Sequence, residues 1–217
     1  MLQTASAYLA RQPIQGLYAI TPDEPDTAEL LSKVRLALQG GVQVLQYRNK
    51  QGDEALRLEQ AMALRKLTQE FAVLLIINDD ATLAKRVDAD GVHLGGEDGS
   101  VAAARAILGS EKIIGVSCYN RANLAHEAAA QGADYVAFGA VFASSVKPSA
   151  PVASLALLRQ ARNELALPVV AIGGITLENG ASVLSAGADA LAVITALFGA
   201  EDITQAARQF ANLNLPI

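Results

Sequence analysis

"GADYVAFGA", residues 132–140, carries the pattern that decides the fold: a small residue and an aspartate lead out of a helical stretch into a short apolar run. The phrase returns as "GADALAVIT" at 187–195 and, loosened, as "DADGVHLGG" at 88–96. This is a weak internal repeat whose unit is a helix feeding a strand. Outward from these three, similar runs begin at Gly16 ("GLYAIT"), Val42 ("VQVLQYR"), Leu74 ("LLIIN"), Ile113 ("IIGVS") and Pro168 ("PVVAIG"), which makes eight strands in all. Between them lie stretches of helical period such as "TAELLSKVRLAL", "EALRLEQAMALRKLTQEFA", "ANLAHEAAA" and "ASLALLRQARNEL". Strand alternating with helix predicts a parallel sheet with crossover helices. Eight such units in 217 residues, near the ~250 typical of the closed form, predict an α/β chain folded as a (β/α)8 TIM barrel. An open doubly wound sheet would more often show a glycine-rich fingerprint after its first strand, and "YAITPDEP" has none.

Composition bounds the rest. Hydrophobic residues make up 52% of the chain and charged residues 18%, a globular balance with room for one large core, so residues 1–217 read as one domain. Residues 1–15 are left as a candidate N-terminal extension. A net charge of -5 argues against a nucleic-acid surface, so any anion site must be local. The single cysteine, Cys118, excludes an internal disulfide framework and fits a reducing, cytoplasmic compartment. The opening "MLQTASAYLARQ" lacks the form of a secretory signal, and no stretch approaches the roughly 20 apolar residues of a membrane span. The expected partners are small molecules, with neither nucleic acid nor membrane; a homo-oligomer is left open.

In a barrel of this kind the active site lies where the strands end. In "VLQYRNK", Val44 to Lys50, two-residue alternation puts Val42, Val44, Gln46, Arg48 and Lys50 on one face, so an apolar face becomes an amide and then two cations. Such a face opens onto something anionic. Strand three ends in Asn78 and Asp79, the loop after strand four carries Glu97 and Asp98, and strand five ends in Ser117. Strand six leads to Ser144 and Lys147, strand seven to Gly173 and Gly174, and strand eight to Thr195. Asp79 and Asp98 suit a magnesium ion clamped between protein and a phosphorylated ligand. Asp80 reads as the cap of the helix that starts there, and Asp98 taken alone reads as a solvated turn residue. Arg48, Lys50 and Lys147 offer a fork and two point charges suited to a diphosphate whose charge rises as it leaves. The glycine pair and "AVIT" form a place for a phosphate held by backbone N–H groups. His126 reads as solvated and His93 as a hydrogen-bonded interior residue; Cys118 has no activating partner in sequence.

The segments "GLYAITP", "QYRNK", "INDD", "ADGVHLGGED", "GVSCYN", "GADYVAFGAVFASSVK", "AIGGIT" and "GADALAVIT" resemble the thiamine-phosphate synthase family, in order and over nearly the whole chain. The resemblance implies a magnesium-dependent transferase on a (β/α)8 barrel. It would join hydroxymethylpyrimidine diphosphate to thiazole phosphate and release pyrophosphate. It implies a dissociative path in which diphosphate departs first and the thiazole nitrogen captures the pyrimidine-methyl cation. By the same resemblance Arg48, Lys50 and Lys147 hold the diphosphate, Asp79 and Asp98 the Mg2+, and Ser117 sits close to the leaving group. Gln46 and Asn78 meet the pyrimidine and diphosphate side, while Ser144, Gly174, Ile194 and Thr195 receive the thiazole phosphate.

The chain departs from the family pattern in two places: Gly96 stands where glutamine is common, and Ala143 to Lys147 where Pro-Thr-x-Thr-Lys is common, so that Ser144 keeps a hydroxyl and Val146 loses one. One such hydrogen bond is worth about 1 kcal/mol. Segment 143–151 is the candidate lid. The alternatives are a thiazole tautomerase, expected to use a histidine where this chain has Tyr119, and a non-catalytic phosphometabolite-binding barrel, expected to lack the carboxylates or lysines. A phosphosugar isomerase would need an acid/base pair that the sequence does not offer.

Overall fold

Eight parallel strands close in chain order, each paired with its sequence neighbours and β8 with β1. In the computed structural model, which describes residues 14–96, 98–142 and 152–213, they are β1 (Gly16–Ile20), β2 (Val44–Tyr47), β3 (Leu74–Asn78), β4 (Gly91–Leu94), β5 (Ile113–Tyr119), β6 (Tyr135–Phe138), β7 (Val169–Ile172) and β8 (Ala190–Val193). The described helices are α1 (Thr27–Gln39), α2 (Glu54–Phe71), α3 (Ala81–Arg86), α4 (Val101–Leu108), α5 (Ala122–Ala130), α6 (Leu155–Glu164), α7 (Leu177–Ser185), α8 (Thr195–Phe198) and α9 (Ile203–Asn212). Most begin on a side chain that takes the first free N–H groups: Asp26, Asp53, Asp80, Ser100, Ser154 and Asp202 each accept from the turn they start. Asp80 is the cap the sequence suggested.

Strand alternation sorts the core into two layers. Tyr18, Ile20, Val44, Leu74, Ile76 and Tyr135 pack inside the barrel, joined by Ile14 from ahead of β1. Leu17, Ala19, Leu45, Tyr47, Leu75 and Ile77 point outward beneath the helices. Val42 belongs to the outer layer, because β2 begins only at Val44. The single face drawn from Val42 to Lys50 is therefore corrected at its start. Tyr135 needs space inside the barrel, and Gly115 supplies it: a Cβ there would sit 2.0 Å from the tyrosine ring.

The repeated aspartates have a shared job at the lower end of the barrel. Asp90, Asp134 and Asp189 each accept the main-chain N–H that opens the preceding strand region, from Leu75, Ile114 and Val169, all at 2.8 Å. Each also pairs with an arginine of the helix that precedes the odd strand, Arg65 of α2, Arg105 of α4 and Arg162 of α6, at 2.7, 2.7 and 3.1 Å. Between β1 and β2 the same clamp is made by Gln43, whose Oε1 accepts from Leu17 N at 2.7 Å. One polar staple thus joins each odd strand to the even strand that follows, leaving the opposite end free for chemistry.

Candidate active site at the carboxyl ends of the strands

β2 delivers Gln46 into the barrel and then runs into a loop held from beneath. Thr21 Oγ1 accepts from Arg48 N and donates to Arg48 O, both at 2.9 Å. Asp23 accepts from Lys50 N at 2.7 Å and from Arg48 Nη1 at 3.3 Å. Asn49 is buried and ties the loop to Gln60 of α2 at 3.0 Å while accepting from Gln51 and Gly52 N. The two cations therefore stand on a braced backbone with their side chains still partly in water. Strand β2 itself stops at Tyr47, so Arg48 and Lys50 reach the mouth from a fixed loop.

Lys50 Nζ lies 3.5 Å from Asp79 Oδ2. Asp79 follows β3 with φ +65°, a left-handed conformation that costs a non-glycine residue energy and is commonly kept at functional sites. Burial and the neighbouring Asp98 carboxyl push the Asp79 carboxyl above the usual carboxylate range. Asp98 is aimed by its own loop, its Oδ2 accepting from Gly95 N at 2.9 Å. Two carboxylates that face each other with one lysine beside them form an all-oxygen donor pair that a hard divalent cation would satisfy. Among the described residues no third acidic, histidine or cysteine ligand joins them, as suits magnesium, which commonly takes one or two carboxylates plus substrate oxygens. They line a cleft of about 340 Å³ with Asn49, Lys50, Arg57 and Asn78.

The strand sequences did not reveal a polar chain inside the barrel. Gln46 Nε2 donates to Tyr18 Oη at 3.0 Å, Tyr18 Oη meets Tyr135 Oη at 2.8 Å, and Tyr135 Oη meets His93 Nδ1 at 2.9 Å. His93 Nε2 closes the run on Ser117 Oγ at 2.8 Å. Burial lowers the His93 pKa to about 4, so the ring is neutral near pH 7. The Tyr135 ring stacks on His93 with centroids 5.5 Å apart. His93 is the bonded interior residue expected, whereas Tyr18 and Tyr135 read in sequence as ordinary apolar strand positions. Arg57, in the first turns of α2, was also missed; its buried Nε has no hydrogen-bond partner among the described residues.

Gly96, one of the departures, is covered by Tyr119, whose hydroxyl accepts from Gly96 N at 3.0 Å; a Cβ at 96 would meet that oxygen at 3.0 Å. Tyr119 fills the space of the absent side chain from a left-handed backbone at φ +53°, beside a register shift in β5. Opposite, Gly173 and Gly174 both hold positive φ, and a Cβ at 174 would come within 2.8 Å of Phe142 O. Ile194 precedes the short α8, which Thr195 begins. Ser144, Lys147, Val146, Glu97 and segment 143–151 lie outside the described residues. His126 is on the surface, 2.9 Å from Glu164.

A family model described as thiamine monophosphate synthase matches residues 17–197. The chain is 60% identical over 201 residues to the thiamine-phosphate synthase of Methylobacillus flagellatus, covering 93% of this chain and 96% of the relative. It is 54% identical to that of Azoarcus sp., covering 92% and 97%. Among solved structures it resembles a thiamine phosphate pyrophosphorylase from Pyrococcus furiosus, with a TM-score of 0.83, 38% identity, and 92% and 95% of the two chains covered. A 3-hexulose-6-phosphate synthase at 21% identity and TM-score 0.68 shares the fold alone.

Proposed function

The chain belongs to the thiamine monophosphate synthase family, a transferase of thiamine biosynthesis, and from that premise we propose how its barrel mouth joins the two halves of thiamine monophosphate. The substrates are hydroxymethylpyrimidine diphosphate and thiazole phosphate. The observation that carries the proposal is the meeting of Asp79, Asp98 and Lys50 at one polar cleft, with Arg48 on the same braced loop.

The bond that breaks joins the pyrimidine methylene carbon to a diphosphate oxygen, and its electron pair leaves with the diphosphate. Magnesium held by Asp79 and Asp98 would supply charge neutralisation as the leaving group forms. Arg48 and Lys50 add positive charge that is worth most when the diphosphate carries its full charge, so they favour departure over the bound reactant. Lys147 is assigned to the same anion. Gln46 and Asn78 orient the pyrimidine side, where the buried tyrosines exclude water from the methyl cation. Backbone N–H groups at Gly174, Ile194 and Thr195, with Ser144, receive the thiazole phosphate, and the thiazole nitrogen closes the new bond. No protein base is needed, in keeping with a histidine held neutral and fully bonded. A cytoplasmic location belongs to the same proposal, supported by a lone buried cysteine; no described helix is long and apolar enough to cross a membrane.

The test is synthesis of thiamine monophosphate and pyrophosphate from the two substrates, with and without chelator. Formation of both, abolished by chelation, is the expected outcome. Binding of either substrate with no product would assign the chain to the tautomerase or binding-barrel alternative.

A further inference from the structure

We infer that Gln46, Tyr18, Tyr135, His93 and Ser117 form one hydrogen-bond chain of fixed direction, which holds His93 as its Nε2–H tautomer and aims the Ser117 hydroxyl proton at the departing diphosphate. The inference rests on the synthase reading for the identity of that anion, but the direction of the chain follows from the donors alone.

Each phenol has a single proton to give. Gln46 Nε2 already donates to Tyr18 Oη at 3.0 Å, so the amide nitrogen cannot accept the Tyr18 proton. Tyr18 is fully buried, and among the described residues its other polar partner is Tyr135 Oη at 2.8 Å. Leaving a buried hydroxyl proton unpaired is costly, so Tyr18 donates to Tyr135. Tyr135 is then an acceptor from Tyr18, and its own proton goes to His93 Nδ1 at 2.9 Å. An Nδ1 that accepts leaves the proton of a neutral imidazole on Nε2, which donates to Ser117 Oγ at 2.8 Å. Ser117 Oγ thereby has its lone-pair partner inside the barrel, and its proton is free for the mouth.

The opposite direction would have the opposite effect. With Ser117 donating inward to Nε2, only lone pairs would face the diphosphate, and they would repel it. The orientation of one amide, at Gln46, thus decides whether a serine at the far end of the chain attracts or repels an anion. No proton changes hands; His93, Tyr135 and Tyr18 are positioning residues that act through Ser117.

The experiment reads the tautomer directly. The protein has two histidines, and His126→Gln removes the surface one, leaving a single imidazole for 15N NMR in the full chain. The expected spectrum shows a protonated Nε2 and an unprotonated, hydrogen-bonded Nδ1. Gln46→Glu, recorded at a pH where the 13C shift of its side chain shows the buried carboxyl to be ionised, presents only acceptors, so Tyr18 must turn toward it and the tautomer is expected to switch to Nδ1–H. An Nδ1–H imidazole in the His126→Gln protein, or an unchanged tautomer in folded Gln46→Glu, overturns the inference. Should His126→Gln show Nε2–H yet make no thiamine monophosphate, the chain stands and the synthase reading fails. Normal synthesis with Nδ1–H sinks the chain alone. Ser117→Ala is expected to lower kcat by roughly 10²–10³-fold, the usual loss for one donor to a developing anion.

Discussion

Lys50 shows how a single residue can be legible in sequence while its support is not. Two cations spaced by one residue after a buried strand pointed to an anion, and the side chain does reach Asp79 at the cleft. Lys50 reaches the cleft by another route than strand phase, since β2 ends at Tyr47 and Val42 lies in the outer core. The direction of Lys50 comes from Asp23 and Thr21, which sit 27 positions away from Lys50 and Arg48 respectively. Nothing in "YAITPDEP" announces that bracing, because a short polar side chain after a strand has many uses. The Lys50 side chain is 58% exposed, so its ion pair adds little to stability. Lys50→Ala is expected to cut kcat by roughly 10²–10³-fold while the urea midpoint reports less than about 0.5 kcal/mol of change. Near-normal turnover would remove Lys50 from the site; a large midpoint shift would make it structural.

Among the elements, strands and helices were read from periodicity because eight similar units each repeat the same apolar spacing. The repeated aspartates were noticed without their purpose, which needs the arginine of a helix and the N–H of a strand to be seen together. The three staples differ in burial, and that difference sets their strength. At Asp90 both side chains are buried, 8% exposed for Arg65 and 3% for Asp90, whereas Arg162 beside Asp189 is 54% exposed. Removing Asp90 leaves the buried Arg65 guanidinium with only a long 3.8 Å contact to the exposed Asp88, while removing Asp189 leaves a guanidinium that water can take. Asp90→Ala should therefore destabilise by about 3–5 kcal/mol and Asp189→Ala by about 1–2 kcal/mol, mostly the lost acceptor for Val169 N. Chemical denaturation of the two variants decides it, and equal losses would refute the burial argument. The Gly96–Tyr119 contact belongs to this scale too: the glycine reads in sequence only as a departure from the family pattern, and the fold brings a tyrosine 23 positions away into its space.

For the molecule as a whole, a barrel with an apolar interior would have been the simplest way to close eight strands, yet this one has a line of polar groups through its upper interior. That line was the least legible feature, because tyrosine satisfies an apolar pattern and its hydroxyl partners lie up to 117 positions away. The line also sets how stability varies with acid. His93 has a pKa of about 4 in the fold, lowered by burial from 6.5. Between those values the unfolded chain binds a proton that the native chain refuses, so stability falls as pH drops from 6.5 toward 4 and this contribution levels off below. The slope approaches about 1.4 kcal/mol per pH unit for one group. Other groups titrate in the same range, so the informative quantity is the difference between wild type and His93→Gln. Urea unfolding at steps from pH 7 to pH 4 should show the variant less stable at neutrality, through its broken chain, and the gap closing as acid erodes the wild type. A gap that stays constant with pH would mean that the native imidazole takes up its proton as readily as the unfolded one, and that the interior chain does not hold His93 neutral.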